Sequence, residues 1–232
     1  MPLRAVFFDA GNTLVHLRFD RMARAFAAEG LGREVEAIRA AERRARVRLD
    51  PIVAGEGSTE GEDVLCAYIR FILEELRLPW DGRGPSLVER VRALGRVEPL
   101  WGEPDPDARA VLGDLRRRGL AVAVISNSDG TAERSLREAG LLDAVDFVLD
   151  SHVVGVEKPD PRIFRLALDR AAVEATEAAF VGDLYSIDVL GARRAGMTGI
   201  LLDPIGAWGE RDCPRARDLL EVREFVLARA EG

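Results

Sequence analysis

Four short polar segments punctuate the chain: Asp9 with Asn12 and Thr13, Ser126 with Asn127, Lys158, and Asp183 with Asp188. Two or three carboxylates, one ammonium and one hydroxyl suit a Mg²⁺ site beside an anion-binding site. Carboxylate oxygens are hard donors for a hard cation, while a lysine and backbone N–H groups cradle the remaining oxygens of an anion. A compositional bias singles out the same segments. Lysine and arginine together number 33, yet Lys158 is the only lysine; asparagine occurs only at Asn12 and Asn127, and glutamine is absent. That avoidance fits a coding or thermal pressure against Lys, Asn and Gln, so chemistry is the stronger reason for each survivor. Taken singly, each residue has a plainer alternative. Asp9 suits a turn, Ser126 and Asn127 a loop or helix cap, and Asp188 the first turn of a helix.

Each segment follows a β-prone apolar run. Arg4–Phe8 reads as a buried strand ending at Asp9-Ala10-Gly11-Asn12-Thr13, Ala121–Ile125 as a strand ending at Ser126-Asn127, and Ala178–Val181 as a strand ending at Gly182-Asp183. Asp146–Leu149 and Thr198–Leu202 read as further strands. Helical patterns separate them: Ala108–Arg118, Ala132–Ala139, Arg162–Ala171 opened by Asp160-Pro161, Ile187–Ala195 and Arg215–Ala230. Alternating apolar strands and helices imply an α/β fold, a doubly wound parallel sheet covered on both faces. Ligands of such sheets bind outside the carboxyl ends of the strands, where the polar segments fall. From Phe19 to Leu94 the pattern is helical throughout: Phe19–Glu29, Glu34–Leu49, Asp63–Leu76 and Ser86–Leu94, with breaks at Gly30–Gly32, Asp50-Pro51, Gly55–Gly61 and Leu78–Pro85. Four helices with no strand between them form a separate insert, giving a core of residues 1–16 and 98–232 and a helical domain of 17–97.

Composition bounds the partners. With 47% hydrophobic residues over 232 positions the chain is long enough for an α/β domain and a small accessory one. A net charge of −7 with no purely basic stretch argues against nucleic acid. No apolar run approaches membrane-spanning length, and no signal peptide precedes Val6-Phe7-Phe8-Asp9, so a cytoplasmic, membrane-free protein is expected. Cys66 and Cys213 stand in no ligand-like spacing and read as idle thiols of a reducing compartment. The chain carries no legible oligomeric state.

Four segments in order resemble the motifs of the haloacid dehalogenase-like hydrolases: Phe7-Phe8-Asp9-Ala10-Gly11-Asn12-Thr13-Leu14, Val124-Ile125-Ser126-Asn127, Glu157-Lys158-Pro159-Asp160-Pro161, and Val181-Gly182-Asp183 with Asp188 five residues on, the last in its phosphatase form. The resemblance covers nearly the whole chain. It implies a Rossmann-like core with the four-helix insert as a cap domain, and Mg²⁺-dependent hydrolysis of a small phosphorylated metabolite. Asp9 would be the nucleophile and form an aspartyl intermediate, with Lys158, Ser126 and Thr13 as its catalytic companions. Asp9, the Gly11 carbonyl and Asp183 would hold the metal, with Asp188 completing the metal site from behind them to orient Lys158 or metal-bound water. Ser126, Asn127, Lys158 and Asn12 would bind the substrate's phosphoryl group.

One position departs from that pattern. Phosphatases of the family carry a second aspartate two residues after the nucleophile as acid and base, and here that residue is Gly11. Such help is worth about 10²–10⁴ in rate. The departure leaves three readings: a phosphatase for substrates with good leaving groups, a metal-independent 2-haloacid dehalogenase, or a non-catalytic binding protein. A phosphonoacetaldehyde hydrolase needs a cap lysine, and this cap has none. Dehalogenases of the family have Ser and Asn in the fourth motif. The retained Asp183 beside Asp9 calls instead for a cation between like charges.

Overall fold

The computed structural model describes residues 1–56, 59, 62–97 and 99–230. Its strands are β1 (Ala5–Phe8), β2 (Val15–Leu17), β3 (Trp101–Pro104), β4 (Ala121–Ser126), β5 (Phe147–Asp150), β6 (Ala178–Gly182), β7 (Thr198–Leu202) and β8 (Arg215–Ala216). The helices are α1 (Phe19–Ala28), α2 (Val35–Glu56), α3 (Glu62–Glu75), α4 (Arg83–Val97), α5 (Ala108–Arg117), α6 (Ala132–Glu138), α7 (Ser151–Val154), α8 (Pro161–Ala171), α9 (Leu190–Arg194) and α10 (Leu219–Ala230).

Six strands form one parallel sheet in the order β5-β4-β1-β6-β7-β8. The apolar runs are continuous because both faces are buried. On one face Val6 and Phe8 pack with Val111 and Leu115 of α5 and Val222 and Val226 of α10. On the other, Ala5 and Phe7 pack with Ile163, Phe164 and Ala167 of α8. β1 lies at the centre, flanked by β4 and β6, and sheet growth reverses direction about it. The carboxyl ends of three adjacent strands therefore deliver Ser126, Asp9 and Asp183 to one edge, which explains why sequence-distant residues meet there.

The helical segment leaves and returns through a two-stranded antiparallel pair, β2 with β3. α1 to α4 share an apolar cluster of their own, including Phe26, Ile38, Ile72, Leu73 and Val91. α2 departs from the sequence expectation: it runs through Asp50-Pro51 to Glu56 rather than stopping at Leu49. A proline inside a helix costs about 3 kcal/mol or more, but Val53, one turn beyond Leu49, is fully buried, and tertiary burial of the helix face outweighs the loss. Of the expected Gly55–Gly61 loop, Gly55 and Glu56 belong to α2, and residues 57, 58, 60 and 61 lie outside the described residues. The final helix starts at Leu219, not Arg215, because Arg215 and Ala216 pair with β7 as a short edge strand. Among the described residues no helix is long and apolar enough to cross a membrane.

The packing of β7 against the turn before α9 tolerates no side chain at Gly199. A Cβ there would lie 2.8 Å from the Val189 carbonyl oxygen and 2.9 Å from Val189 Cα. Gly199→Ala is expected to lower stability by about 1–3 kcal/mol, the range for overpacking, readable as a lower urea midpoint. An unchanged midpoint would show that this contact relaxes freely.

Candidate active site

Lys158 enters from the loop before α8 and is 2% exposed. Its Nζ donates to Asp9 Oδ1 at 2.6 Å and to Asp188 Oδ1 at 2.8 Å, and it lies 5.1 Å from the ring centroid of Phe180. Asp188 sits in a π-type turn at Tyr185–Val189, and its second oxygen accepts from the Leu184 amide at 3.0 Å. Gly182 explains how that carboxylate reaches the site: a Cβ at 182 would fall 2.3 Å from Asp188 Cγ. The Gly-Asp pair therefore has a steric cause, since only a bare backbone leaves room for Asp188.

The other sequence-predicted residues surround this trio. Asn127 spends its side chain on the Lys158 backbone, accepting from its N–H at 2.8 Å and donating to its carbonyl at 2.8 Å. This two-way link fixes the lysine's origin. Ser126 is buried, and among the described residues its hydroxyl makes a 3.3 Å contact with the Asn127 carbonyl. Asn12 adopts φ 57°, in the left-handed region that asparagine tolerates, and its Oδ1 accepts from Trp101 Nε1 at 3.3 Å. Thr13 is wholly buried, and its Oγ1 has no hydrogen-bond partner among the described residues. Gly11 faces Trp101, with a hypothetical Cβ 3.3 Å from the indole Cδ1. The place of the missing acid is thus covered by an aromatic ring.

The sequence reading missed Arg46. From α2 its Nη1 donates to Asp183 Oδ2 at 2.7 Å, while its Nε lies 2.7 Å from Glu42 Oε1, a charge contact not aligned as a hydrogen bond. Glu42 Oε1 in turn accepts from the Tyr68 hydroxyl at 2.6 Å. One turn further, Asp50 accepts from the amide and hydroxyl of Ser186 at 2.9 and 2.6 Å. Glu42, Arg46 and Asp50 are spaced four apart and fall on the face that buries Ile38, Ala41, Ala45 and Leu49. Charges on the buried face of an amphipathic helix were the available signal.

Burial sets the electrostatics. Removal from water pushes the Asp9 carboxyl from its ordinary 3.8 up to about 7; Lys158 opposes the rise, and Asp188 and Asp183 add to it. Burial likewise lifts Asp183 to about 6 against the pull of Arg46. Burial works against the charge of Lys158, but Asp188 and Asp9 more than reverse this and hold the ammonium above its ordinary value. Three carboxylates thus face two cations. Asp9 and Asp183, on adjacent strand ends and both short of positive charge, are hard oxygen donors that fit Mg²⁺, an ion that takes one or two carboxylates and keeps several waters. Among the described residues no three acidic, His or Cys side chains are gathered into a cage for a metal ion. The site opens into a cavity of about 450 Å³, whose wall includes Leu49, Val64, Leu100 and Trp101.

The family model for haloacid dehalogenase-like hydrolases matches residues 3–196, and the chain belongs to that family. It is 50% identical over 95 residues to haloacid dehalogenase-like hydrolase domain-containing protein 3 of Mus musculus, a match covering 41% of this chain and only 38% of that relative. It is 37% identical over 183 residues to a phosphoserine phosphatase of Thermus thermophilus, covering 75% of this chain and 71% of that one. A dehalogenase solved with an intermediate complex superposes with a TM-score of 0.66 over 97% of each chain at 23% identity, a likeness of fold.

The raised Asp9 carboxyl has a consequence for stability. Between about pH 4 and 7 the folded protein holds a proton at Asp9 that the unfolded chain releases, so this group's contribution to stability falls as pH rises through that window. In chelator, the parent should lose stability as pH rises from 5 to 8, and Asp9→Asn should show a shallower loss across the same window. A loss at least as steep in the variant would contradict this balance.

Proposed function

We propose that this hydrolase is a Mg²⁺-dependent phosphatase of a small phosphorylated metabolite, working through an aspartyl-phosphate at Asp9. In this reading residues 17–97 act as a cap domain over a core of 1–16 and 98–232. The observation that carries it is Lys158 bridging Asp9 and Asp188 at the carboxyl edge of the sheet, beside the cavity. Lys158 orients the Asp9 carboxylate through Oδ1, leaving Oδ2 to attack phosphorus. As the new O–P bond forms, the bond to the leaving group breaks, and Lys158, Ser126 and the Asn127 backbone receive the charge of the phosphoryl oxygens. Water then displaces the phosphoryl group from Asp9, releasing inorganic phosphate and restoring the carboxylate. Mg²⁺ held by Asp9, Asp183 and the Gly11 carbonyl would neutralise the like charges of nucleophile and phosphate. Asp188 holds Lys158 in place. Thr13, buried beneath the Asp9 loop, and Asn12, turned towards Trp101, support that loop.

With Gly11 under Trp101, no side chain at that position protonates the leaving group. Acyl and aryl phosphates, whose leaving groups need little protonation, are the favoured substrates, and the apolar wall formed by Leu49, Val64, Leu100 and Trp101 suits an apolar body. One observation favours a second reading, a 2-haloacid dehalogenase: Arg46 already gives Asp183 a counter-charge without metal.

Phosphate release from acyl, aryl and alkyl phosphates separates the two readings. Turnover should require Mg²⁺, vanish in chelator and in Asp9→Asn, and fall from acyl and aryl to alkyl substrates. Chloride release from a 2-haloacid in chelator, with no phosphate release, would replace the phosphatase with the dehalogenase.

The ring over Gly11 modifies what restoring the acid achieves. Gly11→Asp alone should gain little on alkyl phosphates because its side chain meets Trp101. Gly11→Asp with Trp101→Ala should recover part of the about 10²–10⁴ that general acid–base help supplies. Equal rates for the double variant and Trp101→Ala alone would sink the missing-acid explanation.

A further inference from the structure

We propose that Arg46 and a divalent cation are alternative counter-charges for Asp183, so that a cation binds only when Arg46 gives up that carboxylate. The inference rests on the Mg²⁺ reading above and concerns what this chain does to its own metal site. Arg46 comes from α2, 137 residues away in sequence from Asp183, and meets its Oδ2 at 2.7 Å. Both side chains are buried, at 8% and 6% exposure. An ion pair of that length and burial is not a surface accident; either partner left alone would be strongly penalised.

The arrangement has a built-in second position. Arg46 is already 2.7 Å from Glu42, its neighbour one turn earlier on α2. Glu42 is 2% exposed and held by the Tyr68 hydroxyl. On leaving Asp183, the guanidinium therefore remains compensated within its own helix layer, and Asp183 is the partner that can be exchanged. Asp50, bonded to Ser186, is a separate link between α2 and the turn after β6, so α2 keeps an anchor on that turn when Arg46 lets go. Arg46 and the cation would share one carboxylate and its charge, and by linkage each weakens the other's hold on it.

The test is direct Mn²⁺ binding, read from the loss of the free-ion paramagnetic resonance signal without any substrate. It compares the parent, Arg46→Met, and Glu42→Gln with Arg46→Met. The double variant removes both members of the α2 pair and guards against a buried unpaired Glu42; melting curves establish that each protein is folded. Removing Arg46 should tighten Mn²⁺ binding about tenfold or more, the worth of one charged hydrogen bond, and adding Asp183→Asn should abolish the gain. Equal affinity in parent and variants would overturn the competition while leaving the Mg²⁺ reading intact. Weaker binding on removal of Arg46 would overturn it in favour of a supporting role. No Mn²⁺ binding by any of the folded proteins would overturn both.

Discussion

The buried ammonium of Lys158 is the constraint on which the site depends. A single charge removed from water costs several kcal/mol after relaxation, so it is stable there only with carboxylates at hydrogen-bond distance. Asp9 and Asp188 meet that need at 2.6 and 2.8 Å. Their presence in turn requires β1 and β6 to be neighbours with carboxyl ends aligned, which the parallel register of Phe8 against Val181 provides. Gly182 clears the space for Asp188, and Asn127 ties the Lys158 backbone to the end of β4. Three strands, one loop and one turn are thereby locked around a single cation.

That lock leaves an electrostatic surplus of negative charge, and function follows from it. Asp9 and Asp183 are lifted towards neutrality by burial and by one another's neighbours. A further positive group lowers the energy of the site, whether it is Arg46 from the helical layer or a metal ion. The same surplus explains why an anionic substrate would need that cation: without it, a phosphate would approach three carboxylates. Trp101 plays the opposite part. By covering Gly11 it fills the position where an acid would act, so in the proposed phosphatase the leaving group's own acidity would be decisive.

Much of this was legible in the chain. The parallel sheet followed from apolar runs alternating with helical periods, and the lone lysine and two asparagines marked loops that the fold brings to one edge. Asn127 illustrates the limit: its rarity pointed to chemistry, but its side chain serves the Lys158 backbone. The pair β2 and β3 was invisible because the strands are three and four residues long and meet across the whole helical segment. Pro51 misled because local propensity predicts a break that the burial of Val53 overrides. Arg46 was missed for a different reason. Its periodicity with Ile38, Ala41 and Ala45 places it on the buried face, but only the docking of α2 on the turn after β6 reveals that its partner is Asp183.

The central claim is that Asp9 becomes the covalent carrier, and acid-quenching an early time point of Mg²⁺-supported aryl phosphate hydrolysis tests it most directly. Peptide mass spectrometry of the quenched protein should find a phosphoryl adduct on the peptide bearing Asp9, absent from Asp9→Asn. Phosphate release at full rate in Asp9→Asn, or an adduct mapping to another residue, would contradict it.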